Sequence, residues 1–365
     1  MSERHLDRMR RAALEAATLG HDAMVIGPSP DLVYLTGHDP MPLERATLLV
    51  LRAGRDPVLV VPELERALAA RAPAGADLEL VGWVDGVDPY ALVASMLDGA
   101  GTVAAGDRLW ASHVLALQAA APGVRLVPAS AVMVRLRGIK DADELDALRR
   151  AGAAADHTFE AIVTTPFAGR RERDIAADLA DLLVEHGHQS AAFTIVASGP
   201  NSASPHHEPG ERVMVEGDLV VLDFGGMLDD YHSDTTRTVA VGQPSARARD
   251  VHEVVLRAQQ AGSAAVRPGV PIQEVDRTAR AVITDAGYGE RFIHRTGHGI
   301  GLEVHEPPYA IEGDTTVLEP GMTFSVEPGI YLEGELGVRI EDIVVVTAGG
   351  VEYLNTTTRD LVLVE

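Results

Sequence analysis

The sequence predicts an α/β N-terminal domain followed by an α+β domain with a pseudo-twofold internal repeat. Three observations lead there. Short apolar runs alternate with helical patterns up to about residue 135, the signature of an α/β domain. Beyond that point a helix, a turn containing Pro and Gly, a second helix and an aromatic-bearing apolar strand follow one another, and the same succession then recurs. Pro166, Glu172 and Asp174 of the first copy match Pro268, Glu274 and Asp276 of the second, each at an offset of 102 residues. Three identities are also within reach of coincidence. Finally, carboxylates interrupt otherwise apolar strands of the second domain, which suggests a site between its halves.

In the first domain, assigned to residues 1–135, "DRMRRAALEAATL" carries a helical pattern. "DAMVIG", "ATLLVLR" and "PVLVVP" are apolar runs bounded by Gly, Pro or charge, as buried strands are. "PYALVASMLDGA" and "SHVLALQAAAPG" read as helices with a Gly C-cap. No Gly-rich phosphate loop follows the first strand, so a nucleotide site is not expected. A break at residues 138–141 precedes a long helix. Asp141 is its predicted N-cap, with Glu144 completing a capping box. The second domain is assigned to residues 136–365. Two hairpins are predicted in it, one with the turn "MLDD" between "DLVVLDFGG" and "YHSDTTRTVAV". The other has the turn "EGEL" between "GMTFSVEPGIYL" and "GVRIEDIVVVT".

Composition narrows the function. The chain has 365 residues, 46% hydrophobic and 23% charged, with a net charge of −23. Lys140 is the single lysine and the arginines are scattered, so neither nucleic acid nor an anionic membrane is an expected partner. The absence of cysteine excludes disulfides and thiolate-bound metals. The polar, helical N-terminus lacks a signal-peptide stretch and no run is long enough to span a membrane, so a cytoplasmic location is expected.

The acids carry the chemistry. Asp223 interrupts "LVVLDFGG", Asp234 lies eleven residues later near a cross-strand position, and Glu327 and Glu341 sit in "TFSVEPGI" and "GVRIEDIVVV". Strand alternation puts Arg339 and Glu341 on one face and Ile340 on the other. For a lone carboxylate, a salt bridge or a turn cap is the ordinary reading. Four that are buried together would refuse to ionise without compensating charge. Arg237 and Arg339 cannot neutralise the set, whereas a pair of divalent cations can. In "HRTGHGIGLEVHE", His294, His298 and His305 are spaced by four and seven residues. His298 would be the nitrogen ligand, with Gly297, Gly299 and Gly301 letting the backbone pass close to metal and substrate. Oxygen-rich ligation with one imidazole favours Mn, Fe, Co or Zn.

The motifs "VVLDFGG", "SDTTRT", "HRTGHGIGLEVHE", "FSVEPGIY" and "RIED", in this order, resemble those of the prolidase/aminopeptidase P family, within the creatinase, prolidase and methionine aminopeptidase superfamily. "FTIVASGPNSASPHHEPGER", "YLTGHDP" and "RLRGIKDADELDALRRAG" extend the resemblance over the whole chain. It implies a creatinase-like N-terminal domain and a pita-bread catalytic domain. It also implies two divalent ions, manganese first, with cobalt, zinc or iron as alternatives. Asp223, Asp234, His298, Glu327 and Glu341 would be the ligands, Asp234 and Glu341 bridging. Glu327 would move the proton, His206 would reach the scissile amide and His305 would steady the oxyanion. His294 would wall the pocket beyond the cleaved bond, with Tyr331 and Arg339 supporting the acids and His38 a candidate substrate contact. His207 is expected to be a solvated neighbour.

The implied activity is hydrolysis of the Xaa-Pro bond of dipeptides or short peptides by a homodimer. Some compact prolidases carry an arginine near Tyr309, suited to a free carboxylate. Here that position is not basic, so dipeptidase, aminopeptidase P and broader dipeptidase activity stay open. A metal-free creatinase-like C–N hydrolase, or a non-catalytic binding module of the same fold, would have lost acidic ligands, and here all five ligand positions stand.

Overall fold

The computed structural model describes residues 2–365, with Ser2 by its backbone alone. The chain divides into two compact units, Met1–Arg137 and Gly138–Glu365. In the first, helices and strands alternate: α1 (Ser2–Thr18), β1 (Ala23–Ile26), α2 (Pro30–Thr36), β2 (Leu48–Leu51), β3 (Val58–Pro62), α3 (Arg66–Ala69), β4 (Glu79–Trp83), α4 (Pro89–Met96), β5 (Thr102–Ala105), α5 (Ala111–Ala120), β6 (Arg125–Pro128) and α6 (Ser130–Arg137). The strands form one mixed sheet in the order β4-β3-β2-β1-β5-β6. Val25, Val50, Val60, Val103 and Leu117 are buried in the core it shares with its helices.

Two helix ends differ from expectation. Leu97, not a glycine, caps α4, and Gly99 adopts a positive φ two residues later. Ala121 caps α5, because Pro122 follows and pushes the residue before it out of the helical region.

The second unit runs α7 (Ala142–Ile162), α8 (Glu172–Glu185), β7 (Ser190–Ser198), β8 (Leu219–Leu228), β9 (Tyr231–His232), β10 (Thr235–Val241), α9 (Ala246–Ala265), α10 (Gln273–Asp285), β11 (Gly297–Gly299), β12 (Glu306–Ala310), β13 (Thr323–Val326), β14 (Gly329–Leu332), β15 (Leu336–Arg339), β16 (Asp342–Thr347), β17 (Gly350–Tyr353) and β18 (Val362–Val364). Asp141 and Glu144 form the capping box of α7 as the sequence predicts. Its buried face, Leu148, Ala151, Ala155, Phe159 and Ile162, keeps the helical period. One sheet has the order β18-β10-β8-β7 with β9 on β8, a second is β12-β11-β13-β16-β17, and β14 and β15 form a two-stranded third.

The internal repeat is architectural. The pairs α7–α8 and α9–α10 each feed a sheet. Gly169 and Gly269 take nearly the same positive φ, 80° and 83°, in the two inter-helix turns. Antiparallel bridges Arg171–Val213 and Pro271–Val317 recur beside them. The acids with matching roles are not the ones matched by identity. Glu172 accepts from the Ser198 N–H and hydroxyl at 2.8 and 2.7 Å, and Asp276 does the same for Thr296 at 3.1 and 2.7 Å. Each ties the first turn of a helix to its half, Glu172 to the end of β7 and Asp276 to the residue before β11.

Both predicted hairpins form. Asp229 and Asp230, at φ 49° and 69°, make the tight turn between β8 and β9. In the other hairpin each arm breaks and changes sheet. β13 pairs with β16 up to Val326–Asp342, and β14 with β15 from Gly329–Arg339. Glu327 and Pro328 on one arm, and Ile340 and Glu341 on the other, occupy the matching gaps. Pro328 has no N–H to give the ladder.

Arg237, only 2% exposed, holds this region from beneath. It donates to the carbonyls of Thr236, Glu341, Thr357 and Thr358 and to the Asp342 carboxylate. An Arg237→Met variant should lose about 3–5 kcal/mol of stability, since it strands a buried acid and several carbonyls. Chemical denaturation of the metal-free protein checks this, and a loss under about 1 kcal/mol would contradict it.

Candidate metal centre

β8 is apolar and buried, and its even positions Val220, Leu222 and Phe224 pack into the core of α7 and α8. Alternation turns Asp223 to the opposite face. Its cross-strand partners there are Ile195 on β7 and Thr236 on β10. Asp234 precedes Thr236 by two residues and therefore shares that face. Asp234 does not lie in a strand; it occupies the gap between β9 and β10. Only Asp223 of the four acids sits inside a strand, since Glu327 and Glu341 fill the breaks of the second hairpin. A break frees the side chain's backbone from the ladder and lets both arms aim an acid at one point.

Two threonine and serine hydroxyls, silent in the sequence, fix those aims. Thr236 Oγ1 donates to Glu341 Oε2 at 2.7 Å, and Glu341 N–H donates to the Thr236 carbonyl at 3.0 Å. Ser325 Oγ accepts from the His298 N–H at 3.0 Å and donates to Glu327 Oε1 at 3.1 Å. His298 is carried by β11, between β12 and β13. The glycines beside it are required by close packing of the neighbouring backbone. A Cβ at Gly297 would strike the Ser325 carbonyl, and one at Gly299 the carbonyls of Glu306 and Pro307. One at Gly301 would crowd the buried Lys140–Glu306 ion pair, itself 2.6 Å long.

The result is a set of overlapping clusters. Donor atoms of Asp223, Asp234 and Glu341 lie within 4.8 Å of one another, as do those of His298, Glu327 and Glu341. Glu341 belongs to both. Asp234, His298 and His305 form a third such group, so His305 also stands near enough to be a nitrogen donor. The His305 ring centroid is 4.0 Å from that of His298.

These residues fit divalent cations on two counts. First, Asp223 Oδ1 and Glu341 Oε1 are buried without a hydrogen-bond partner among the described residues. Second, His298 Nδ1 lies 3.1 Å from the Gly299 carbonyl, which fixes the proton on that nitrogen. The Nε2 lone pair then faces Glu327 Oε1 at 3.3 Å and Asp234 Oδ2 at 3.6 Å. Three acceptors face one another there, which needs a cation or a proton between them.

The electrostatics say the same. Burial, and then the neighbouring Glu341, Asp223 and Glu327, hold the Asp234 carboxyl well above the usual carboxylate range. Burial followed by Glu327 and Asp223 does so for Glu341. Burial pushes Glu327 up to about 7. Burial, then His305, lowers His298 to about 3, so its imidazole is neutral.

The remaining predicted residues surround a cavity of about 1150 Å³ in this unit. Its walls include His206, His294, His305 and Arg339 beside the four acids and one imidazole already described, with Phe193, Ile195 and Ile293 as apolar neighbours. Tyr331 stands behind that wall, buried, and links two of its members. Arg339 donates to Asp223 at 2.5 Å and to the Tyr331 hydroxyl at 2.9 Å, and that hydroxyl is 2.8 Å from His294 Nε2. His294 Nδ1 lies 2.7 Å from the Arg295 carbonyl, so the ring is held at both nitrogens. His38 belongs to the N-terminal unit, where it is buried and its N–H bonds the Thr36 hydroxyl at 3.0 Å.

His207 is not a solvated neighbour. Its Nε2 bonds Glu172 Oε2 at 2.8 Å, and Asn201 and Gly210 also donate to that buried carboxylate. Glu172 thereby gathers the segment on which His206 is exposed to the cavity.

With this geometry in view, the similarities to known proteins are direct. Residues 146–348 match metallopeptidase family M24, and residues 8–139 match the creatinase/prolidase N-terminal domain. The chain therefore belongs to metallopeptidase family M24 and is a metal-dependent peptidase with the pita-bread fold. It is 46% identical over 366 residues to the probable dipeptidase PepE of Mycobacterium tuberculosis, covering all of this chain and 97% of that protein. It is 38% identical to the Xaa-Pro dipeptidase of Lactobacillus helveticus, covering 94% of this chain and 95% of that one. Dipeptidase PepE from Mycobacterium ulcerans superposes with a TM-score of 0.95 at 44% identity, over 100% of this chain and 98% of that one. The prolidase from Thermococcus sibiricus does so at 0.92 and 35%, over 100% and 99%. Among the described residues no helix is long and apolar enough to cross a membrane.

The raised acids make a pH prediction. A carboxyl whose folded pKa is raised binds more protons folded than unfolded between the two values. Its stabilising contribution is therefore complete below the ordinary 4.5 of Glu327 and is lost as the pH climbs to about 7. Cations compete with those protons. The rise in thermal midpoint given by Mn²⁺ should be larger at about pH 8 than at about pH 5.5, with protons released to buffer at the lower pH. Calorimetry in two buffers of different ionisation enthalpy measures the release. Binding with no proton exchange at any pH would contradict the clustering.

Proposed function

We propose that this chain is a prolidase-type dipeptidase that hydrolyses the Xaa-Pro bond of dipeptides and short peptides with two divalent ions, manganese first. The observation that carries the reading is the pair of ligand clusters sharing Glu341, with unbonded carboxylate oxygens on Asp223 and Glu341. In this proposal Asp223, Asp234 and Glu341 hold one ion. His298, Glu327 and Glu341 would hold the other, with Asp234 near enough to contribute to it. The Xaa-Pro dipeptidase named among the relatives supports the substrate class. The homodimer and the cytoplasmic location implied by the motif resemblance belong to the same proposal.

When bound, such a pair of ions supplies Lewis acidity and brings the pKa of a water toward ~7. The chain's own groups do the rest. Glu327, on the cavity wall, accepts the proton of the attacking water and returns it to the leaving nitrogen. His305 donates to the developing oxyanion and His206 to the scissile amide, both from the cavity wall. Arg339 pairs directly with Asp223 and holds that side chain in place. Through Tyr331 it also fixes the His294 ring, which walls the side of the residue after the cleaved bond. A prolyl nitrogen carries no hydrogen and its amide isomerises, so a shaped wall there selects one geometry of the ring.

Asp234→Ala should lose bound metal and peptidase activity together. Metal analysis and turnover of the same preparation check this, and full activity in the variant would reject the ligand assignment. A manganese-supplemented assay on Xaa-Pro dipeptides, Xaa-Pro-Yaa tripeptides and Xaa-Ala controls tests the activity itself. We expect the Xaa-Pro dipeptides to be cleaved fastest. Failure on every peptide would remove the peptidase reading, and cleavage of Xaa-Ala at the same rate would make it a general dipeptidase.

A further inference from the structure

Lysine is almost absent from this chain. Lysines and arginines together number 31, and Lys140 is the one lysine. That lysine is buried, and so is its partner: Nζ lies 2.6 Å from Glu306 Oε1, and the two side chains are 1% and 4% exposed. Desolvation offsets most of the attraction in such a pair, so net stability alone does not account for it. The backbone of Lys140 is fixed. Ile139 bridges Met322, the Lys140 N–H donates to the Gly321 carbonyl at 2.9 Å, and Asp141 opens the capping box of α7. The ammonium is thus carried on an anchored segment.

Glu306 is the first residue of β12 and follows His305 directly. Along the β11–β12 ladder His298 faces Tyr309 and Gly299 faces Glu306. The register therefore skips Pro307 and Pro308, neither of which has an N–H to give the ladder. Main-chain bonds hold the start of the intervening turn. The Gly301 carbonyl accepts the His232 N–H at 2.9 Å, and the Gly301 N–H donates to the Glu303 carbonyl at 3.0 Å. At the end of the turn it is the Glu306 side chain that is held, by Lys140. The space there is filled: a Cβ on Gly301 would lie 2.8 Å from Glu306 Oε1 and 3.1 Å from Lys140 Cε. His298 and His305 stand at the two ends of this turn, their ring centroids 4.0 Å apart.

We propose that Lys140 and Glu306 are positioning residues. Their ion pair closes the turn between β11 and β12 and so holds His305 against His298, where it serves the developing oxyanion, a role that rests on the peptidase reading above.

The test is a double variant, Lys140→Met with Glu306→Leu, which removes both charges at nearly constant volume and leaves neither unpaired. It should melt close to the wild type and bind as much manganese. On Ala-Pro it should lose roughly 10- to 100-fold in kcat with KM within about threefold, the cost of an imidazole displaced by about 1 Å. Glu306→Gln, which keeps an acceptor for the ammonium, should fall between the two. In the metal-free, histidine-labelled protein, the nuclear Overhauser contact between the His298 and His305 rings should be present in the wild type and lost in the double variant. An unchanged kcat would overturn the proposal, and so would a lower kcat with the ring contact intact. Loss of metal in step with activity would do so as well, since the pair would then serve the metal centre as a whole. If the double variant does not fold, Glu306→Gln decides by the same kcat and ring-contact readouts. If the wild type cleaves no Xaa-Pro peptide, the peptidase reading fails separately, and the ring contact still decides whether the pair positions His305.

Discussion

Mutual repulsion among buried acids is the constraint around which the catalytic unit is organised. Asp234, Glu327 and Glu341 each hold their protons beyond the usual range, because burial first, and the charge of neighbouring carboxylates with it, opposes ionisation. The neutral His298 beside them presents a lone pair and no compensating charge. Among the described residues only one guanidinium, that of Arg339, reaches the group directly, and it is committed to one oxygen of Asp223. What remains is a set of donors that positive charge completes. The surrounding hydroxyls of Thr236 and Ser325 then act as spacers, holding the oxygens where repulsion alone would drive them apart.

That constraint explains which parts of the protein are legible in its sequence. A charged residue inside an apolar run is conspicuous, and Asp223, Glu327 and Glu341 stand out for that reason, while Asp234 is marked by its place across the hairpin and His298 by its spacing from His294 and His305. Their convergence required the hairpins, whose turns are also visible: Asp229 and Asp230 in one, and the segment before Leu336 in the other. The capping box at Asp141 and Glu144 and the strands of the N-terminal sheet follow local rules and are equally plain. The breaks at Glu327–Pro328 and Ile340–Glu341 are not, since an apolar run gives no sign of where its ladder changes sheet. Pro328 was the available signal for the first of them.

Other features are hidden because their partners are far away in sequence. Glu172 reads as an ordinary acid at a helix start, yet it collects Ser198, Asn201, His207 and Gly210. The pairing of His207 with it could not be inferred from a neighbouring histidine pair. The glycines of the His298 segment accommodate a close approach of neighbouring backbone, and close approach to a ligand would leave the same mark on a sequence. The repeat shows a similar limit. Identities at a fixed offset located the two halves, while the equivalent tethers, Glu172 and Asp276, occupy different helical positions and share only their chemistry.

The broken hairpin has a consequence for how this centre can change. The separation of Glu327 from Glu341 is set by the ladder steps on either side of the gaps, Val326 with Asp342 and Gly329 with Arg339. The loop at the far end of β14 and β15 has no part in it. Length variation at that tip is mechanically decoupled from ligand spacing, whereas a single deletion inside either gap shears both acids out of alignment at once. Tip and gap are thus separate modules on one ribbon, the first free to drift and the second locked.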